Sequence, residues 1–432
     1  MSVTVILGEQ RGDEGKGRFV DMLARDHDIV ARFNGGNNAG HTVVLPDGRV
    51  LKLHLVPSGV AHPHAINIIG NGTLINPAKL IEEIKTVSEQ GIAVSPDNLL
   101  LSSAAHLILP QHISADEIRE AGAGRQGSTK SGIAQVSADK YMRTGVRCEI
   151  LVTDIEKLRE IIITGLEEQK TARASLGLPE LNATEIAENY IDCAQELKQY
   201  ICDTVFYLNN AIKQTPGIRI LAEGAQAFLL DIDHGMYPYT TSSNTTSGGV
   251  VTGLGIPPRH IEKVVGVIKA VQSHVGGGPF ITEITNDELL KKLHGDMNTV
   301  DAECGTTTGR IRRLGHLDIP GIRRSQMING TTEIALTKLD WIPRYGEKVA
   351  ICTAYKVNDK TVGTAPDTAG LSGSVEPVYE YLPTWSDDIS GIREFKDLPE
   401  PAQKYVKFIE EKIGTKIKYI GVGPGRDQVI VL

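Results

Sequence analysis

A short run of aliphatic and β-branched residues, Val3-Thr4-Val5-Ile6-Leu7, leads directly into Gly8-Glu9-Gln10-Arg11-Gly12-Asp13-Glu14-Gly15-Lys16-Gly17. A buried strand, a glycine-punctuated loop and a helix from about Arg18 to Ala24, in that order, open an α/β nucleotide-binding arrangement. Glycine lets backbone N–H groups approach an anion closely, and a helix N-terminus with one lysine adds positive potential. The loop is not the common phosphate loop, G-x-x-x-x-G-K followed by a hydroxyl residue. Its span from Gly8 to Gly15 is too long, and Gly17 follows the lysine. Asp13 and Glu14 would repel phosphate unless a metal ion bridges them or one acts as a base; the alternative is an acidic helix start.

Further strand candidates are 29–33, 65–69, 218–222, 333–336 and 348–352. Between them lie helical patterns, the clearest over 183–213, where Asn182 and Glu185 form a capping pair and Ile186, Tyr190, Cys193, Leu197 and Ile201 recur at helical spacing. Strands alternating with helices predict an α/β fold with a large, mostly parallel central sheet flanked by helices. The polar stretch 169–182 reads as a connection. No repeat or low-complexity linker interrupts the chain, so the reading is one domain over 1–432 with helical insertions at about 78–213.

Composition narrows the function classes. Glycine makes up 45 of 432 residues, above the usual share, which suits sites built from loops. A net charge of −8 disfavours a dedicated nucleic-acid or anionic-membrane binder. The five cysteines include no C-x-x-C pair, so neither a zinc ribbon nor a disulfide scaffold is expected. No apolar run reaches the roughly 18 residues of a spanning helix, and the N-terminus does not read as a secretory signal. The expectation is a cytoplasmic protein.

Several polar segments carry chemistry. Asn34–Thr42 offers asparagines and His41 after a strand, able to bond a heterocycle or phosphate. Glu223-Gly224-Ala225-Gln226 ends a strand in an amide that can read a base edge, and Thr240–Thr246 is a polar, hydroxyl-rich run suited to phosphate or sugar. Asp233-His234 resembles a metal pair but lacks further ligands at sensible spacing. Gly305–Arg313 combines hydroxyls with Arg310, Arg312 and Arg313, whose forks suit carboxylate or phosphate. Thr337-Lys338-Leu339-Asp340 has the T-K-x-D form that reads guanine, one carboxylate accepting from two ring-edge donors while the lysine stem covers the ring. Gly421–Gly425 could supply a backbone wall for the same base.

Together these segments resemble the adenylosuccinate synthetase family over nearly the whole chain. The motifs are QxGDEGKG at Gln10–Gly17, GGxNAGHT at Gly35–Thr42, LHLxPSG at Leu53–Gly59 and IGNG at Ile69–Gly72. They continue as EGAQ at Glu223–Gln226, DIDHGxYPY at Asp231–Tyr239, TSSNTT at Thr241–Thr246, TTGRxRR at Thr307–Arg313 and TKLD at Thr337–Asp340. The resemblance implies a GTP-dependent ligase that forms adenylosuccinate from IMP and L-aspartate, the first committed step towards AMP. Asp13 would remove the N1 proton of IMP so that the 6-oxygen attacks the γ-phosphate of GTP. His41 would act as the acid, and Lys16 would neutralise phosphate charge. Mg²⁺ would be held by Asp13 and the Gly40 carbonyl. The aspartate amine would then displace the phosphate.

By the same resemblance, Asn38, Thr129, Gln226, Thr241 and Arg310 would hold IMP, with Arg143 reaching across a homodimer to the other subunit's IMP. Thr306, Thr307, Thr308, Arg310 and Arg312 would bind aspartate. GTP would meet Gly12, Glu14, Gly15, Lys16, Gly17, Gly40, Thr42 and Arg312, with Lys338, Asp340, Gly421 and Gly423 around its base. Three places depart from the family pattern. Arg11 stands where the family usually has tryptophan, 127–135 differs from the common GTTGRGIGP, and Gly423-Pro424-Gly425-Arg426 replaces GPDR. A phage branch that acts on a guanylate has serine in place of the base, so an intact Asp13 favours IMP. The alternatives are a relative with a guanylate-type nucleotide or another amino acid as substrate, and a catalytically silent GTP-binding module. The silent module predicts loss of Asp13, His41 or the arginine loop, and all are present.

Overall fold

Ten strands form the central sheet of the structure, a computed structural model that describes residues 2–122, 130–296, 302–303, 311–367 and 374–432. In chain order they are β1 (Ser2–Gly8), β2 (Ile29–Arg32), β3 (Ile66–Ile69), β4 (Leu99–Ser102), β5 (Ile201–Cys202), β6 (Arg219–Glu223), β7 (Ile261–Lys269), β8 (Glu333–Thr337), β9 (Ile417–Gly421) and β10 (Val429–Val431). Their order across the sheet is β10-β9-β8-β7-β1-β6-β2-β3-β4-β5. Only the β9–β10 pair is antiparallel. The expected large, mostly parallel sheet is therefore present.

Parallel strands are covered on both faces, which is why they read as unbroken apolar runs. Val3, Val5 and Leu7 of β1 point to one face and pack with Leu208 and Ile212 of the helix Thr204–Gln214 and with Val250 and Leu254 of the helix Gly248–Leu254. Ile6 points the other way, against Phe19 and Val20 of helix α1 (Lys16–Ala24). This helix starts two residues before the sequence-based estimate, because Gly15 in the left-handed region (φ 86°) turns the loop into it.

Two expectations need correction. The helix read over 183–213 is two helices, Ala183–Gln195 and Thr204–Gln214, separated by a 3-10 turn and by β5 at the sheet edge. Asn182 caps the first by accepting from the Glu185 N–H at 3.3 Å, as expected, but Asp203 starts a new helix by accepting from the Phe206 N–H at 2.9 Å. Helical periodicity carries through the break because Leu197 and Ile201 still face the same apolar cluster. The second correction concerns 348–352. That segment begins a longer strand, Lys348–Val357, in a separate four-stranded sheet, antiparallel to Lys360–Val362 and Val375–Pro383. A hairpin turn at Asn358-Asp359, both with positive φ, sets that pairing. The stretch 169–182 also holds a short helix, Lys170–Ser175.

The glycines of the IGNG segment have a packing reason. A Cβ on Gly72 would lie 2.1 Å from the Phe33 carbonyl oxygen, and one on Gly253 would lie 1.9 Å from the same oxygen. The helix Gly248–Leu254 thus presses onto the end of β2, fixing the exit of the loop that follows.

Candidate active site

The segments singled out from sequence leave the carboxyl ends of β1, β2, β6, β8 and β9, the edge at which ligands bind in parallel α/β sheets. Left-handed backbone marks this edge at Asp13, Gln226 and Lys338. Seven described non-glycine residues have positive φ. Apart from Lys130 and the hairpin pair Asn358-Asp359, they are Asp13, Arg143, Gln226 and Lys338, all of them sequence candidates. Side chains in this region cost energy, and such positions gather where a loop is shaped for a ligand.

The loop after β1 is held from outside and from within. Gln10 is locked onto β7 by a pair of bonds, accepting from the Lys269 N–H at 2.8 Å and donating to the Lys269 carbonyl at 3.2 Å. Glu14, 1% exposed, accepts from the Gly12 N–H at 2.7 Å and from Lys16 Nζ at 2.8 Å. Its carboxylate takes up the backbone donor and the lysine that the sequence offered to phosphate. Glu9, wholly buried behind the loop, is pushed up to about 7 chiefly by burial. Asp13 reaches outward and pairs with Arg312 Nε at 2.8 Å.

His41 opens the hairpin His41–Val44/Val50–Leu53 and is 4% exposed. The GDEGKG and GHT segments meet here, since a Cβ on Gly17 would lie 2.8 Å from the His41 Cβ. His41 Nδ1 donates to Glu223 Oε1 at 2.5 Å. Glu223 also accepts from Ser58 Oγ at 2.7 Å, from the Ser58 N–H at 2.8 Å and from Arg32 Nη2 at 2.7 Å. Arg32 and Glu223 are register partners on neighbouring strands, β2 and β6. Burial, then the positive charge of Arg32, lowers His41 to about 4, although Glu223 opposes the shift. Burial alone would raise Glu223, but Arg32 and His41 outweigh it and hold that carboxyl at about 2. The cluster is therefore a neutral imidazole with Nδ1 fixed on a carboxylate and Nε2 turned away from it.

Beside it lies an amide network. Asn34 Nδ2 donates to the Ala225 carbonyl and to Ser243 Oγ, each at 3.2 Å, while its Oδ1 accepts from the Ala225 N–H at 2.8 Å. Gln226 Nε2 donates to Asn38 Oδ1 at 3.3 Å, so these two nucleotide candidates do meet. Thr241 lies two residues before Ser243, and its N–H donates to the Leu230 carbonyl at 2.8 Å. Gly40 and Thr42 flank His41 on the same hairpin strand and its approach.

On the far side of β1, Lys338 stacks on the buried Trp341 ring, 3.6 Å from its centroid. Lys338 also faces Glu303 at 3.7 Å. Asp340 sits on the 3-10 turn Leu339–Tyr345. Gly421 ends β9, and the Gly423 carbonyl accepts from Arg18 of α1, which fixes the C-terminal wall against the glycine loop. Arg143 is not among the buried residues; it is exposed at the end of the helix Ile133–Met142, next to Tyr141 and Met142 at 72% and 70% exposure. Thr129, Thr306, Thr307, Thr308 and Arg310 lie outside the described residues. A cavity of about 480 Å³ opens between Asn37, His54, Lys79 and Lys130, on the flank of the 34–42 loop rather than over Asp13.

The sequence assigned no role to Arg32, Lys269 or Glu303, and gave Ser58 and Glu223 only as parts of motifs. For Arg32 the available signal was a charge within 29–33, otherwise read as a buried strand, because such a charge must find a partner. Among the described residues no three His, Cys, Asp or Glu side chains form a metal cluster. The donors that the sequence suggested, the Asp13 carboxylate and the Gly40 carbonyl, are oxygen ligands of the type magnesium takes, which commonly binds one or two carboxylates and relies on phosphate oxygens and water for the rest.

The family model for adenylosuccinate synthetase matches residues 5–430. An adenylosuccinate synthetase of Halothermothrix orenii is 44% identical over 436 residues, covering 100% of this chain and 98% of that protein. The fully ligated adenylosuccinate synthetase of Plasmodium falciparum superimposes with a TM-score of 0.87 at 38% identity, covering 100% of both chains. The succinoaminodeoxyadenylate synthetase of cyanophage S-2L, bound to dGMP and dATP, gives a TM-score of 0.63 at 18% identity over 100% of this chain and 95% of that one, a likeness of fold alone.

Proposed function

The chain belongs to the adenylosuccinate synthetase family and joins IMP to L-aspartate at the expense of GTP; we propose that it does so through a 6-phosphoryl intermediate with Asp13 as base and His41 as acid. The observation that carries this reading is the contact of Gly17 with His41, which keeps the Asp13 loop and the imidazole at one place on the sheet edge.

Asp13 accepts the N1 proton of IMP, which concentrates charge on the 6-oxygen for attack on the γ-phosphate. The 30% exposed Asp13 side chain and its left-handed backbone support that role, since its carboxylate stands clear of the loop that Glu14 holds together. His41 meets the developing charge through Nε2. The imidazole is neutral without substrate, and the negative charge of a bound polyphosphate would favour its protonated form, so the acid is armed by GTP itself. Lys16 and the Gly12 N–H, bonded to Glu14 in this structure, would exchange that carboxylate for phosphate oxygens and, with Arg312 and the N–H groups of Gly15 and Gly17, neutralise phosphate charge. Asp13 and the Gly40 carbonyl would hold Mg²⁺, which would add positive charge to neutralise the phosphates.

Asn38, Gln226 and Thr241, with Thr129 and Arg310, take IMP in this reading. Thr306, Thr307, Thr308, Arg310 and Arg312 take aspartate, while Lys338, Asp340, Gly421 and Gly423 take guanine. Arg143 completes the IMP site of a second subunit; its exposure and left-handed backbone, beside exposed Tyr141 and Met142, support a homodimer. We also read the chain as one domain with a helical insertion at about 78–213, working in the cytoplasm. No described helix is long and apolar enough to cross a membrane.

Replacing Asp13 with asparagine tests the assignment. Asp13→Asn is expected to abolish adenylosuccinate formation from IMP, GTP and aspartate while GTP still binds, as read by calorimetry. Turnover retained in that variant would overturn Asp13 as the base.

A further inference from the structure

Three cations from three parts of the chain converge on one buried carboxylate. Glu303, 1% exposed, accepts from Lys269 Nζ at 2.7 Å and from Arg312 Nη1 at 3.1 Å, and its other oxygen faces Lys338 Nζ at 3.7 Å. Lys269 ends β7, Lys338 follows β8, and Arg312 precedes the short strand Arg313–Gly315. The backbone repeats the link: the Arg312 N–H donates to the Glu303 carbonyl at 3.0 Å, and the Glu303 N–H donates to the His294 carbonyl at 3.0 Å. His294 Nε2 closes the set on the Arg312 carbonyl at 2.9 Å.

A carboxylate with so little solvent must be paired, but it does not need three partners. One charge against three leaves the cluster net positive, pointed by Arg312 at Asp13 and by Lys338 at the wall around Trp341. Both arms share one carboxylate, Arg312 on one oxygen and Lys338 on the other, so the orientation of Glu303 helps to set the place of each. Lys269, also bonded to Ser273 Oγ at 2.8 Å, anchors the carboxylate to the sheet.

We propose that Glu303 is a positioning residue that fixes Arg312 and Lys338 relative to each other and thereby couples capture of the aspartate carboxylate to capture of the guanine base. This rests on the reading above, in which Arg312 meets the substrate anions and Lys338 meets guanine. Coupling through a shared element is reciprocal: GTP tightens aspartate binding by the factor by which aspartate tightens GTP binding.

Initial rates with each substrate varied in turn test this in the full-length protein. Glu303→Gln keeps the shape and removes the charge. It is expected to raise KM for aspartate and for GTP by on the order of tenfold each, leave KM for IMP within about twofold, and abolish the dependence of the aspartate KM on GTP concentration. Glu303→Asp, which keeps the charge, is expected to recover part of both affinities. A merely structural role would instead lower the melting temperature and kcat with all three KM values unchanged, and that outcome overturns the proposal. If Glu303→Gln folds poorly, the double variant with Lys269→Met removes one stranded cation and is read by the same KM pattern. Arg312→Leu and Lys338→Ala separate the two levels of the claim. If neither raises a KM, the site reading itself fails. If both do and Glu303→Gln does not, the site reading stands and the coupling role is wrong.

Discussion

Arg32 and Glu223 face each other across β2 and β6 with no solvent access, an arrangement that a fold tolerates only when the pair is fully bonded. Here Ser58 and His41 complete the shell, so one carboxylate neutralises a guanidinium and also fixes an imidazole. Glu223→Gln would keep the side-chain volume and leave Arg32 as a buried charge without its counter-ion. The expected loss is about 3–5 kcal/mol of stability, read from the urea midpoint, together with a fall in kcat as His41 loses its acceptor. A midpoint within experimental error of the parent would contradict this account of the cluster. The sequence points to His41 and not to its support, because 29–33 and 218–222 read as buried strands with no sign that they carry a shared ion pair. Arg32 within the first run and Glu223 just past the second were visible, but which strand lay beside which was not, and only adjacency turns two isolated charges into a pair.

Elements were legible where the chain signals them locally. The β1–loop–α1 unit was readable because a strand, a glycine loop and a helix follow one another without interruption. The break at Lys198–Asp203 was not, since helical periodicity persists through it and β5 is only two residues long. Strands β4, β7, β9 and β10 also went unread; their place in the sheet is set by tertiary pairing. Close packing between elements was hidden as well, although the glycines that permit it stood in the sequence. Gly253→Ala is expected to force the helix Gly248–Leu254 off the Phe33 carbonyl and cost roughly 1–3 kcal/mol in a denaturant titration. The same substitution would displace the loop that carries Asn34 and Asn38, so KM for IMP is expected to rise with it. An unchanged midpoint and KM would show that the contact is relieved at no cost.

At the scale of the whole molecule, the central sheet brings residues hundreds of positions apart to one edge: Asp13, His41, Gln226, Arg312 and Lys338 all leave strand ends or the loops beside them. The family motifs made much of this edge readable, because those at Gln10–Gly17, Gly35–Thr42, Glu223–Gln226 and Thr337–Asp340 lie at or just past strand ends and parallel strands deliver their carboxyl ends to the same side. What joins the motifs, namely Arg32–Glu223 and the three cations on Glu303, could not be read, since it depends on which loops touch. The central claim is that these groups activate the 6-oxygen of IMP by transferring phosphate to it. IMP carrying oxygen-18 at the 6-position, supplied with GTP, Mg²⁺ and aspartate, tests it by mass spectrometry of the released phosphate. The account predicts labelled phosphate in step with adenylosuccinate; adenylosuccinate accompanied by unlabelled phosphate would contradict it.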